Sequence, residues 1–183
     1  MRQLNAALLM TLDGVVEAPQ DWQAPYFSEE IGAVIGGSMA ESDALLMGRG
    51  NYEEWVQFWP SQTDDENPFA GFMNSTPKFV ASTTLESVDW NNTTLLEGDV
   101  PDAVRALKEQ DGKDITISGS PTLVRSLLRA GLIDELRLMI HPVVLGRGKR
   151  LFDGDEFDLE LAGSRTFDTG VVHAVYRPAA KAS

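Results

Sequence analysis

Two short stretches of this chain set glycine between an apolar run and a helix-like run. They are Gly48-Arg49-Gly50 after "ALLM" and Gly119-Ser120-Pro121-Thr122 after "ITIS". Glycine lets a ligand approach the backbone closely. A helix start offers unpaired N–H groups and the positive end of a dipole, so it holds an anion without a basic side chain. At the second stretch Ser120 is in N-cap position, Pro121 opens the first turn, and Thr122 adds a hydroxyl. At the first, Arg49 can clamp a phosphate with two parallel hydrogen bonds. Strand C-termini are also where open α/β sheets place ligands. Each stretch has a plainer reading: "SGSP" as a helix cap with no ligand, and Arg49 as a surface partner of Glu53 or Glu54. The spacings match neither G-x-G-x-x-G nor a G-K-[ST] phosphate loop, so a Rossmann domain and a P-loop fit poorly.

Other chemistries are thinly represented. The chain has no cysteine and two histidines, His141 and His173, neither within a motif. That excludes a thiolate metal site or cysteine nucleophile, and no metal site is expected. No G-x-S-x-G or H-E-x-x-H is present, so a hydrolase is a weak choice. Glu29 and Glu30 suit the dipole at a helix start. Trp22, Tyr26, Trp55, Phe58 and Trp59 could wall a flat-ring pocket, although core packing explains a given one of them more often. The formal net charge of −13 disfavours a nucleic-acid partner. No apolar run is long enough to span a bilayer, and "MRQLNAALLMTLDG" reads as a first strand and not a signal peptide. A cytoplasmic location is the default.

The elements that must position these groups alternate between strand-like and helix-like, which predicts an α/β layer fold within one domain. Strands are expected at "LNAALLM", "ALLMG", "KFVAST", "NTTLLEG", "ITIS", "ELRLMIHPVVLG" and "TGVVHAVYR". Helices are expected at "SEEIGAVIGGSMAESD", "NYEEWVQFW", "VPDAVRALKEQDG" and the segment after Ser120. In that last segment Leu123, Val124, Leu127 and Leu128 form one apolar stripe, and Gly131 stops the helix. "TLDGVVEAPQDWQAP" is a long loop opened by a D-G turn. The domain is expected to end near residue 178, with residues 179–183 a loose tail.

The pieces "LLMTLDGVV", "ALLMGRGNYE", "KFVASTTL", "ITISGSPTLVRSLLRAGLIDELRLMIHPVVLGRGKRLF" and "VVHAVYR", in that order, resemble the dihydrofolate reductase-like superfamily. Within it they are most similar to the C-terminal reductase domain of the bifunctional riboflavin-biosynthesis deaminase–reductase. The resemblance implies a three-layer αβα fold around a central, mostly parallel mixed sheet. It implies an NADPH-dependent reductase of a flat heterocycle, similar to 5-amino-6-(5-phosphoribosylamino)uracil reductase. A dihydrofolate or pterin reductase, and a non-catalytic nucleotide-binding protein that keeps the fold, are the alternatives. By the family pattern Gly48, Arg49 and Gly50 lie at the cofactor phosphates, Ser82, Thr83 and Thr84 at the adenosine end, and Gly119, Ser120 and Thr122 around the pyrophosphate. Thr11, Asp13 and Gly14 line the first loop near the nicotinamide. Asp13 and Glu30 are the candidate catalytic carboxylates, with Asp13 expected to orient the loop. Trp22 or Tyr26 is expected to cover the bound heterocycle; the alternative is a Trp22 packed permanently in the core. Where many relatives carry an arginine for the 2′-phosphate, Ser82, Thr83 and Thr84 offer hydroxyls only, so NADH is not excluded. The resemblance also implies a homodimer, with the apolar C-terminal strands as its candidate interface; the alternative is that these strands are central and fully covered.

Overall fold

The computed structural model describes residues 1–179. The first apolar run forms β1 (Leu4–Thr11). A long loop leads to α1 (Glu29–Glu41), whose N-cap Ser28 accepts the Ile31 N–H. Next come β2 (Ser42–Gly48), α2 (Arg49–Phe58) and the short α3 (Ala70–Ser75). Then follow β3 (Lys78–Ala81), β4 (Thr93–Leu95), α4 (Val100–Glu109) and β5 (Asp114–Ser118). The remainder is α5 (Pro121–Arg129), β6 (Glu135–His141), β7 (Leu159–Thr166) and β8 (Val172–Pro178).

The strands form one sheet in the order β4-β3-β2-β5-β1-β6-β8-β7. The six from β4 to β6 are parallel, and β8 and β7 add an antiparallel margin. Strand alternation sends side chains to both faces. Ala44 and Leu46 of β2 join the cluster that holds Val104 and Leu107 of α4 and the Leu123, Val124, Leu127, Leu128 stripe of α5. Leu45 and Met47 face the other way, against Tyr52 of α2 and Met73 of α3. Further along, Ile31 of α1 packs with Met139 of β6. The result is a three-layer αβα arrangement with a mixed, mostly parallel sheet.

Two features of the fold differ from the sequence expectations. β7 was not legible: seven of its eight residues are exposed, so it has no apolar alternation to read. The apolar strands β6 and β8 lie inside the sheet, as the alternative reading of them expects, and β7 is the edge. Gly50 is not in a loop after β2 but in the first turn of α2. At the C-terminus Ala179 donates its N–H to the Asp158 carbonyl at 2.9 Å, and residues 180–183 of the expected tail lie outside the described residues. Among the described residues no helix is long and apolar enough to cross a membrane.

Candidate active site

Parallel pairing brings the C-terminal ends of β3, β2, β5, β1 and β6 to one edge of the sheet. Both glycine junctions are there, on neighbouring strands. Gly48 at the end of β2 donates its N–H to Ser120 Oγ at 2.9 Å. Asn51, in the first turn of α2, donates from Nδ2 to the Ser118 carbonyl at 2.6 Å and accepts the Ser120 N–H on Oδ1 at 3.2 Å. Gly119 and Ser120 both adopt left-handed backbone, with φ of 73° and 54°. Ser120 is the N-cap of α5 by position, but its hydroxyl is turned to Gly48, so the helix start has no side-chain cap. Thr122 in that first turn is exposed, and Pro121 before it has no N–H to offer.

One strand further out, Arg49 Nη1 donates to Thr84 Oγ1 at 2.9 Å, and its Nε lies 3.6 Å from Glu53. Ser82 Oγ accepts the N–H of Thr84 at 3.1 Å and of Leu85 at 3.0 Å, which folds the 82–85 turn back on itself. Thr83 is exposed beside them. Thus Gly48, Arg49, Gly50, Ser82, Thr83, Thr84, Gly119, Ser120 and Thr122 gather along three adjacent strand ends.

The first loop closes the other half of the edge. Thr11 is fully buried and in register with His141. Its hydroxyl donates to Asp13 Oδ1 at 2.7 Å and accepts the Val15 N–H at 2.9 Å. Asp13 also accepts the N–H groups of Leu145 at 3.2 Å and Gly146 at 2.8 Å. The Thr11 hydroxyl and then the Gly146 N–H stabilise the carboxylate and push Asp13 down to about 2. Gly14 turns the chain with φ of 85° and accepts the Leu151 N–H at 2.9 Å.

Trp22 is only 7% exposed, and its Nε1 donates to the Glu17 carbonyl at 3.0 Å. Its ring meets His141 edge-on with centroids 5.0 Å apart, and Tyr26 does the same at 5.9 Å. His141 is buried, with Nδ1 2.9 Å from the Met139 carbonyl, and burial holds its pKa below the usual histidine value. In this structure Trp22 is therefore packed inside the loop, while the half-buried Tyr26 retains an open face. Glu30 stands over the antiparallel margin, ion-paired with Arg165 of β7, and shares no partner with Asp13. The sequence reading missed Asn51 and the role of His141. The only signal for Asn51 is an amide side chain three residues past a strand-terminal glycine.

A groove of about 380 Å³ lies elsewhere, between α1 and β6–β8, lined by Glu41, Glu135, Arg137 and Arg177 among others. It opens at the N-terminal end of β6, away from the glycine junctions. Its charges pair with one another: Arg137 with Glu41 and Glu135, and Arg177 with Glu135. That is the pattern of a closed ion-pair network, and the strand-end edge remains the candidate site.

A sheet of this topology, with glycine-bounded helix starts on adjacent strand ends and a long loop over β1 and β6, defines a reductase domain of the dihydrofolate reductase-like kind. The family model described as RibD C-terminal domain matches residues 2–173, and the chain belongs to that family of reductase domains. It is 34% identical over 182 residues to the uncharacterized protein YyaP of Bacillus subtilis (strain 168), covering 96% of this chain and 94% of that one. A Shewanella sp. PV-4 structure, provisionally described as a riboflavin biosynthesis protein, superposes with a TM-score of 0.79 at 20% identity, over 97% of this chain and 99% of that one. The Thermotoga maritima diaminohydroxyphosphoribosylaminopyrimidine deaminase/5-amino-6-(5-phosphoribosylamino)uracil reductase superposes with a TM-score of 0.69 at 15% identity. That match covers 97% of this chain and 57% of the longer Thermotoga chain.

The residues at the edge fit a reduced nicotinamide dinucleotide. Gly50 leaves open space where a side chain would stand, with no atom within 4 Å of an added Cβ. The start of α5 is uncapped. Arg49 supplies a half-exposed cation next to the hydroxyls of the 82–84 turn.

Proposed function

We propose that the chain is an NADPH-dependent reductase of a ribosylated aminopyrimidine, working as a cytoplasmic homodimer. The observation that carries this reading is the side-by-side placement of two glycine junctions on β2 and β5, stitched by Gly48–Ser120 and Asn51–Ser118. Arg49 and Thr84 stand at one end of that row and the Thr11–Gly14 turn at the other. A row of donors along strand ends suits an extended dinucleotide. The bound cofactor supplies the hydride, and the protein supplies orientation and a dry pocket.

Within this reading the first turn of α5 and Thr122 hold the pyrophosphate, and Arg49 holds the 2′-phosphate. The Thr11–Gly14 turn borders the nicotinamide. Asp13, ionised across the whole neutral range, keeps the turn in shape and donates no proton. Tyr26 lies against the heterocycle, above His141. Two-fold pairing is the commonest way soluble chains associate. Light scattering at micromolar concentration tests it, and a mass near the 20.0 kDa of one chain overturns it.

The test is a titration with NADPH and NADH followed by tryptophan quenching, then a turnover screen of ribosylaminopyrimidines, pterins and dihydrofolate. The expected result is NADPH binding and oxidation with an aminopyrimidine. Absence of binding at millimolar cofactor overturns the reading. Binding without oxidation across the panel selects the non-catalytic alternative. Turnover of dihydrofolate alone selects a pterin reductase.

A further inference from the structure

We propose that Asn51 is the positioning residue of the phosphate cradle, acting through the Gly119–Ser120 corner. This inference rests on the dinucleotide-binding reading of the same edge. The corner is an unusual piece of backbone. Two successive residues are left-handed, and the second, Ser120, is not glycine. A non-glycine residue persists there only when its surroundings over-determine it.

The surroundings that do so are two side chains. Asn51 acts as a substitute strand: its carboxamide accepts the Ser120 N–H and donates to the Ser118 carbonyl, a donor–acceptor pair like that of a backbone rung. Ser120 answers by accepting the Gly48 N–H on its hydroxyl. One side chain reaches from α2 to the corner and the other from the corner back to Gly48, so both tie the same two junctions together. Gly119 is glycine for the same reason. A Cβ there would meet Asn51 Nδ2 at 2.6 Å and Oδ1 at 2.8 Å.

The clamp also decides which groups are left for a ligand. The N–H groups of Ser120 and Gly48 are already engaged, while the Ser120 hydroxyl, an acceptor toward Gly48, keeps its own O–H to donate. The donors that remain for an anion are the Ser120 O–H, Thr122 and the uncapped first turn of α5, and the direction in which they point is set by the corner that Asn51 holds. Asn51 thus serves the cofactor without being one of its ligands.

The test uses Asn51→Ala in the full chain. NADPH, NADH and ADP are titrated by tryptophan quenching, and amide exchange of Ser120 is measured in the free protein. The expected result is faster Ser120 exchange and an equal loss of affinity, about tenfold, for all three ligands, with adenosine, which shares their base and ribose but carries no phosphate, binding variant and parent alike. A general loosening of the fold would lower the melting temperature and speed exchange throughout the sheet. A changed 2′-phosphate contact would separate NADPH from the other two. Parent-like affinity, or parent-like Ser120 exchange, in folded Asn51→Ala overturns the proposal. A parent protein that binds no dinucleotide overturns the functional reading, and the exchange data then decide the clamp alone. Should Asn51→Ala fail to fold, the uncharged Asn51→Ser, too short to span both partners, is measured in its place, and the same two measurements decide.

Discussion

Asp13 accepts the backbone N–H of Gly146 at 2.8 Å, joining the first loop to the loop after β6 across 133 residues of sequence. Its carboxyl is held at about 2 against an ordinary value of 3.8. A depressed carboxylate contributes stability that is fully present above the unfolded value and is lost as pH falls through the folded one. The parent should therefore lose melting temperature between about pH 4 and pH 2 more steeply than Asp13→Asn. Thermal scans of both proteins across that window check this. From pH 5 to 8 the shape of the pH–rate profile should be the same in both, since Asp13 does not titrate there.

His141 adds to the same acid sensitivity at a higher pH. Burial lowers its pKa from 6.5, so the unfolded chain binds more protons below that value. Stability should be full above about pH 6.5 and fall on acidification. His173 is lowered too, by burial and then by Arg137 and Arg165, so the fall has two contributors. Denaturant melts at pH 7 and pH 5 should show a smaller pH effect in His141→Gln than in the parent.

Trp22 contributes as a core residue in this structure, packed on His141 and hydrogen-bonded to Glu17. Trp22→Ala should cost about 3–5 kcal/mol of stability. A variant that melts like the parent but has an altered substrate KM would return Trp22 to the role of a lid.

Arg49 is half exposed, and its 3.6 Å contact with Glu53 is a screened surface pair. Removing it should leave the melting temperature almost unchanged. Arg49→Ala should weaken NADPH by about 1.5–3 kcal/mol and NADH by less, because only NADPH offers a 2′-phosphate to a charge-assisted bond. Paired titrations read the difference directly.

Gly119→Ala forces a Cβ into the Asn51 carboxamide and puts an L side chain at φ of 73°. The backbone term alone is roughly 1–2 kcal/mol. Combining it with Asn51→Ala removes the collision but not the backbone strain. The double variant should be more stable than the sum of the single changes predicts, and a double-mutant cycle measures the coupling.

Local rules carried far in this chain. The α5 stripe, the Gly131 stop and the two glycine junctions are each written within a few consecutive residues, so local spacing exposes them. What was hidden depends on partners distant in sequence. The Asn51 bridge spans 67 and 69 residues to its two partners, and no pattern around residue 51 announces it. His141 shows no motif because its environment, Trp22 and Tyr26, comes from a loop over a hundred residues earlier. β7 was invisible for a different reason. It pairs only with β8, and its exposed residues leave no hydrophobic period.

β1 is flanked by β5 and β6, whose residues first appear at position 114. On the ribosome this apolar strand is made first and finds its neighbours late, after more than a hundred residues have been added. Non-local pairing of this kind slows folding and leaves unpaired strand edges exposed to aggregation meanwhile. A fragment that stops at residue 113 has neither neighbour of β1 and should stay unfolded and precipitate. Refolding of the full chain should form native sheet in one late step, when β5 and β6 close on β1 together.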